Sequence, residues 1–295
     1  MPKKKVLVVG LGEVGRPLLD LVKESGEFDV YGFDSDKTKM RILKQGSLPE
    51  NFDVMHICLS CSNQEKFVTI VRDYIGKFRP SLTIINSTVP PGTTIDIRRS
   101  SNENQVAYSP IRGVHKGDDY MKWEIKRWTK YVGGATREAG ESAREHFEQV
   151  GLETKVLASA TEAELAKLFE TTYRAWMITC YQEMHRISAH FKANFDDATD
   201  FLEDTHRVRL DRPVMFPGEI GGHCLIPNTE LLLKSYDSEF LKLILKSKEK
   251  RKQEMNDQRT REEAEKIKRR AEKLQKDLMD KWSDKGERKS SINGL

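Results

Sequence analysis

The stretch Lys5-Val-Leu-Val-Val-Gly10-Leu-Gly12-Glu-Val-Gly15-Arg-Pro-Leu-Leu19 admits few folds, because an apolar strand runs through three spaced glycines directly into an amphipathic helix. Gly10 permits a tight turn, Gly12 lets the backbone approach a pyrophosphate, and Gly15 lets helix and strand pack closely, while the helix N-terminus offers unpaired N–H donors to an anion. Gly10, Leu11, Gly12, Glu13, Val14 and Gly15 are therefore candidate cofactor contacts. A second apolar run, Phe28-Asp-Val-Tyr-Gly-Phe-Asp34, ends in an acid about 20 residues past the turn, where a ribose 2′-hydroxyl would lie. Asp34 would accept from ribose hydroxyls and repel a 2′-phosphate, so the expected cofactor is NAD and not NADP. The competing reading is a glycine-rich turn in a purely structural sheet, with Asp34 an ordinary strand-end residue.

The chain keeps this rhythm. A short helix is expected over 37–45, a buried strand over 53–60 with His56 in the core, and a helix over 64–77 with Phe67, Ile70, Val71, Tyr74 and Ile75 on one face. A strand over 82–86 leads into Ser87-Thr88-Val89-Pro90-Pro91-Gly92-Thr-Thr94 and then a helix carrying Ile95 and Ile97. In open α/β sheets ligands lie at the C-terminal edge of the strands. Leu59, Ser60, Ser87 and Thr88 fall at that edge and join the cofactor candidates. After a strand over 105–109 comes the irregular Pro110-Ile-Arg112-Gly-Val-His115-Lys-Gly117, whose Arg112 and His115 are candidate substrate contacts. A strand over 128–132, a helix over 137–149 and a strand over 152–157 complete a Rossmann-type, doubly wound, mainly parallel sheet domain over 1–158.

The period then changes. From 161 to about 192, Leu165, Phe169, Thr172, Trp176, Cys180, Met184, Ile187 and Phe191 recur at helical spacing, an apolar stripe that calls for a partner and implies a homodimer through the long helix. Lys167, Thr171 and Arg174 share one polar side of that helix and would project together into a cleft; the alternative is a solvated face. A second helix is expected over 196–206. Beyond it, Gly221-Gly222-His223-Cys224 presents a thiol behind two residues without side chains and beside an imidazole, a setting that can lower a thiol's pKa. Helical pattern resumes over 229–245, closing an all-α domain over 159–245.

Residues 246–295 form a charged tail with a thin seam at Ile267, Ala271, Leu274 and Leu278, expected as a solvated helix to about 282 and disorder beyond. The net charge of +4 resides there: the tail holds 17 Lys+Arg and 11 Asp+Glu, a balance of +6, leaving −2 for residues 1–245. A nucleic-acid or protein contact is therefore a question about the tail and not about the folded body. Four cysteines do not make a disulfide framework, and the lone Cys58-x-x-Cys61 reads as packing and not as a metal site. With no signal peptide and no apolar segment long enough to span a bilayer, a cytoplasmic protein is expected.

Five stretches together resemble the UDP-glucose/GDP-mannose dehydrogenase family over roughly the first 235 residues. They are the Gly10-Gly12-Gly15 turn with Asp34, Ser87–Thr94, Tyr108-Ser-Pro110, Glu162-Ala-Glu-Leu-Ala-Lys167 with Thr172-Tyr-Arg174, and Gly221-Gly-His-Cys224. The resemblance implies that Cys224 is the nucleophile of a four-electron oxidation, passing through a thiohemiacetal and a thioester, with His223 beside it. It further implies that Lys167 is an electrostatic and acid/base helper, that Ser87 and Thr88 lie near the nicotinamide, with Thr88 among the catalytic candidates, and that Lys39 contacts the adenosine side. Three positions depart from the family pattern: its asparagine is Thr171 here, its acid after Ser-Pro is Ile111, and its aspartate four residues after the cysteine is Asn228. The resemblance does not extend to the family's third domain, and the charged tail is expected to stand in its place. Three functions stay open: covalent NAD-dependent oxidation through Cys224, a two-electron hydroxyacid-type dehydrogenation using Lys167 alone, and an inactive NAD-binding regulator or scaffold with a partner-binding tail.

Overall fold

The computed structural model describes residues 2–43, 45–101, 105–113, 117–222 and 224–284, with side chains to 278. The chain divides into two compact units, Met1–Phe169 and Glu170–Leu295. The first comprises β1 (Lys4–Val9), α1 (Gly15–Glu24), β2 (Phe28–Phe33), α2 (Lys37–Leu43), β3 (Phe52–Ile57), α3 (Gln64–Phe78), β4 (Pro80–Ile85), α4 (Thr93–Ser100), β5 (Gln105–Tyr108), α5 (Asp118–Arg127), β6 (Lys130–Gly134), α6 (Arg137–Gln149) and β7 (Thr154–Val156). The unit boundary falls within the next helix, α7 (Ala160–His190), eleven residues past the change of period at 158.

The strands form one sheet in the order β2-β1-β3-β4-β5-β6-β7, parallel throughout except where β5 meets β6. Val6, Leu7, Val8 and Val9 are all buried because β1 is covered on both faces, as continuous apolar runs in parallel sheets require. Val6, Val54, Ile84 and Ala107 pack with α1, α5 and α6 on one side, while Leu7, Val9, Met55 and Ile85 pack with α3 and α4 on the other. This is the doubly wound Rossmann-type architecture expected. After β1 the chain first adds β2 on one flank and then crosses to β3 on the other, so the reversal of strand order lies at the end of β1.

Two local readings change. The strand expected over 53–60 ends at Ile57, and Cys58, Leu59 and Ser60 turn out of the sheet. Helix α5 stands where none was expected; its Met121 and Ile125 are buried one turn apart among charged neighbours.

The second unit continues α7 and adds α8 (Phe195–Arg209), α9 (Leu225–Ser235), α10 (Glu239–Glu254) and α11 (Gln258–Asp284). The tail is not a solvated appendage. Its first residues continue α10, and α11 buries Ala264, Ile267 and Leu274 within this unit. Acids of α8 hold its cations: Asp196 pairs with Lys266 at 2.7 Å and with Arg270 at 3.1 Å, Asp200 and Glu203 also pair with Arg270, and Arg207 meets Asp277 at 3.4 Å. Ser283 and Asp284 are helical, and residues 285–295 lie outside the described residues. Among the described residues, no helix is long and apolar enough to cross a membrane.

His56 is a core residue, as expected, but it has company. Its Nδ1 donates to Asn86 Oδ1 at 2.9 Å, which leaves its Nε2 to accept from His146 Nε2 at 2.9 Å. Burial pushes His56 down to about 4 and His146 well below its ordinary value, so both imidazoles are neutral in the fold. The unfolded chain binds these protons below about 6.5 and the folded chain does not, so stability must fall as pH drops from 6.5 toward 4. Urea unfolding should show a loss on the order of 2–3 kcal/mol from His56 alone between pH 7 and 4.5, and replacing both histidines with apolar residues should flatten that slope. An unchanged slope in the double variant would contradict the assignment.

Candidate functional site

The glycine turn separates what the fold needs from what a ligand needs. A Cβ on Gly15 would sit 1.7 Å from the Gly10 carbonyl oxygen, and one on Gly10, at φ +88°, would meet the Cys58 carbonyl at 2.5 Å. Neither position admits a side chain. Gly12 differs, since a Cβ there meets nothing within 4 Å and its φ lies outside the left-handed region, so nothing in the fold itself requires glycine. Helix α1 starts just beyond with Val14 at its N-cap, which supplies no side-chain acceptor to the helix amides. An open approach to an uncapped helix N-terminus is the geometry that a pyrophosphate uses. Cys58 packs beneath the turn, where burial pushes its thiol up to about 12, in keeping with a packing role.

Asp34, at the end of β2, is tied into this turn. Its Oδ2 accepts from the Leu11 N–H at 2.7 Å and from Lys39 Nζ at 3.3 Å, and its Oδ1 accepts from the Asp36 N–H at 2.9 Å. Burial acts to raise its pKa, but the amides of Asp36 and Leu11 and the Lys39 ammonium outweigh it and hold the carboxylate below its ordinary value. A carboxylate has roughly four acceptor positions, so Oδ1 can still take a hydroxyl donor. Glu13 is exposed and Val14 half-buried beside the turn.

The other sheet-edge candidates line up next to it. Ser87, buried at the end of β4, accepts from the Leu59 N–H at 2.9 Å and so links that loop to the end of β3, with Ser60 exposed and Thr88 half-buried. Gly10, Asp34, Leu59, Ser60, Ser87 and Thr88 thus all follow the C-terminal ends of parallel strands flanking the order reversal. Arg112 donates to the Thr129 carbonyl at 2.8 Å and stacks against Trp128 and Tyr131, contacts that fix it against its own unit. His115 and His223 lie outside the described residues.

Two further residues at this edge have partners that local spacing does not reveal. Lys130 is buried, donating to the carbonyls of Ser109 at 3.0 Å and Pro110 at 2.8 Å. Burial, with Lys167 and Arg112 nearby, brings its pKa down to about 7. Glu164 on α7 is fully buried and accepts from the amides of Gly92 and Thr94 and from the Thr94 hydroxyl. An E-x-x-K spacing reads as a surface pair; its distant backbone donors cannot be seen in the local pattern.

In the second unit Cys224 is the N-cap of α9, half-buried, and its carbonyl accepts from the Asn228 N–H at 2.9 Å. A Cβ at Gly221 or Gly222 would meet nothing within 4 Å, so the approach past both is open. Asn228 Nδ2 donates to Thr171 Oγ1 at 3.1 Å, with both residues buried. Two of the three positions that depart from the family pattern are therefore bonded to each other, next to the cysteine in sequence and in space. Arg174, one turn along α7, is exposed. Lys167 is half-buried on the part of α7 that belongs to the first unit.

Residues 161–256 match the UDP-glucose/GDP-mannose dehydrogenase family, central domain. The chain resembles that family. It is 29% identical over 261 residues to the UDP-N-acetyl-D-mannosamine dehydrogenase of Methanocaldococcus jannaschii, a match covering 75% of this chain and 60% of the relative. It thus spans about 60% of the length of such relatives. The solved UDP-D-ManNAc dehydrogenase of Pyrococcus horikoshii superposes with a TM-score of 0.67 at 22% identity, over 95% of this chain and 72% of the other. The Mycobacterium tuberculosis 3-hydroxyisobutyrate dehydrogenase gives 0.63 at 16% identity, over 86% of this chain and 94% of the other. These structural likenesses establish the Rossmann-type fold.

The glycine geometry gives a paired test. Gly12→Ala should leave the melting temperature unchanged while weakening NAD⁺ binding at least tenfold, about 1.4 kcal/mol by titration calorimetry. Gly15→Ala should instead destabilise the fold by roughly 3 kcal/mol or more through overpacking. A destabilised Gly12→Ala, or one that binds NAD⁺ normally, would refute the reading.

Proposed function

We propose that this protein is an NAD-dependent dehydrogenase that oxidises an alcohol or aldehyde carbon of a sugar-like or other small polar substrate, with Cys224 as covalent nucleophile. The observation that carries the proposal is the turn at Gly12, where a residue that the fold leaves unconstrained is glycine, at the mouth of an uncapped helix and beside a ribose-type acid. The names of the relatives, dehydrogenases of nucleotide-linked sugars, support the substrate class.

When bound, NAD⁺ would supply the hydride acceptor for each oxidation. The chain supplies the rest. Asp34 and Lys39 would orient the adenosine half, and Ser87 and Thr88 would border the nicotinamide. Lys167 would receive the alcohol proton as the aldehyde forms. Cys224 sulfur would then add to the aldehyde carbon, its C=O π bond becoming an alkoxide that takes a proton. Loss of a second hydride from this thiohemiacetal carbon and of its hydroxyl proton to solvent would leave a thioester, and water would cleave its C–S bond to release the acid and restore the thiol. Arg112, His115 and Arg174 remain the proposed substrate contacts, with Arg112 acting from its packed position.

A second reading draws on the Thr171–Asn228 pair. An amide and a hydroxyl bonded to each other lack the acid that would activate water, which favours a two-electron oxidation that ends at the aldehyde or ketone and uses Lys167 without a covalent step. A cytoplasmic location and a homodimer stay part of the proposal, and the apolar stripe supports the pairing: Phe169 and Ile187 on α7 and Phe191 just past its end are 55%, 50% and 73% exposed. Against a nucleic-acid role for the tail stand the acids of α8 that already hold Lys266 and Arg270.

Single-turnover assays against sugar alcohols, hydroxyacids and nucleotide-sugars should yield two NADH per substrate oxidised and a trapped thioester on Cys224. Cys224→Ser should lower turnover roughly a thousandfold or more. One NADH per substrate with turnover retained in Cys224→Ser would favour the two-electron reading, and NAD⁺ binding without turnover on any substrate would leave the regulator. In sedimentation, replacing Ile187 and Phe191 with Asp should convert a dimer to a monomer; a monomeric parent protein would refute the dimer.

A further inference from the structure

We propose that Glu164 is the positioning residue that sets Thr88 and Lys167 in register, by clamping the proline loop after β4 to the helix that carries the lysine. The inference rests on the dehydrogenase reading above. One Glu164 oxygen, Oε2, accepts from the Gly92 N–H at 2.6 Å, and the other, Oε1, accepts from the Thr94 N–H at 2.9 Å and the Thr94 hydroxyl at 2.6 Å. Gly92 is the N-cap of α4, at φ +92° with no side chain of its own, so a carboxylate from another element caps this helix. A negative charge at a helix N-terminus is favoured by the dipole and by the orphan amides together. The Thr93 hydroxyl closes the turn from the other side, donating to the Pro90 carbonyl at 2.6 Å.

The clamp lies between two candidate reacting groups. Thr88 is four residues before Gly92 across a stiff Pro90-Pro91 pair, and Lys167 is three residues after Glu164, one helical turn along α7. Every residue in the chain of contacts belongs to the first unit. The side chain is wholly buried, and burial holds its pKa above the ordinary value although the hydrogen bonds from Thr94 and Gly92 act to lower it. All three donors are N–H or O–H groups, so two oxygens with open lone pairs are needed. Glutamine has one oxygen, and its amide nitrogen would face an N–H. The carboxylate also fills the anion position at the start of α4, whereas the N-terminus of α1 carries no side-chain cap.

The test compares Glu164→Gln and Glu164→Ala with the parent protein, reading NAD⁺ affinity, kcat, and hydrogen exchange at Gly92 and Thr94. The clamp's hydrogen bonds run to Gly92 and Thr94 and not to the Gly10–Gly15 turn, so the Kd for NAD⁺ should stay within about twofold while kcat falls at least tenfold in Glu164→Gln and further in Glu164→Ala. Exchange at Gly92 and Thr94 should accelerate, with Leu11 unchanged. If Glu164→Ala fails to fold, Thr94→Val removes one donor and should lower kcat severalfold at unchanged NAD⁺ affinity. Unaltered kcat in these variants, or a parallel loss of kcat and NAD⁺ affinity, would overturn the proposal. If the parent protein shows no turnover, the dehydrogenase reading fails instead, and protection of Gly92 and Thr94 that survives in Glu164→Ala would independently refute the clamp.

Discussion

The distance between the Gly10 carbonyl and the start of α1 governs the first unit. Helix and strand approach so closely that a methyl group on Gly15 would overlap the carbonyl oxygen, and the Gly10 amide is in turn bonded to the end of β2 at 2.8 Å. Once that approach is fixed, the helix N-terminus points over the end of β1, where the sheet order reverses and the loops after β3 and β4 converge. Asp34, Leu59, Ser87 and Thr88 share this location because each follows the C-terminal end of a parallel strand in the same sheet. The role proposed for the turn depends on the same geometry, because the amides freed there are the donors a pyrophosphate needs.

Much of this was legible in the sequence, and the parts that were not share a cause. The glycine turn, Asp34, the strand-end loops and the long helix announce themselves within a few residues, through period and turn chemistry. The strand expected over 53–60 exceeds β3 by three residues because Cys58 and Leu59 are apolar, yet Cys58 packs under the glycine turn and Leu59 leaves the sheet to meet Ser87. Helix α5 offers just Met121 and Ile125 as buried anchors in a charged segment, too little pattern to separate it from a loop. The largest revision concerns the tail, whose cations look solvated along the chain but meet Asp196, Asp200 and Glu203 about 70 residues away. Glu164 and the His56–His146 pair were hidden for the same reason: their partners are distant in sequence, and local spacing carries no trace of them.

The second unit holds a comparable lesson in the pair Thr171 and Asn228. Each departs from the family pattern, and each alone reads as the loss of a functional group. Together they form one buried hydrogen bond beside Cys224, a neutral pair where the resemblance implies an acid and an amide. A buried carboxylate opposite a hydroxyl would carry a desolvation cost that this arrangement avoids. The chemistry proposed for Cys224 therefore rests on a local environment with less charge than the resemblance alone implies.

The account turns on where a dinucleotide lies, and a crystal structure of the protein grown with NAD⁺ tests that most directly. The account predicts the pyrophosphate against the amides between Gly12 and Gly15, a ribose hydroxyl on Asp34, and the nicotinamide beside Thr88. Density for the cofactor elsewhere on the molecule, or a bare glycine turn at saturating NAD⁺, would contradict it.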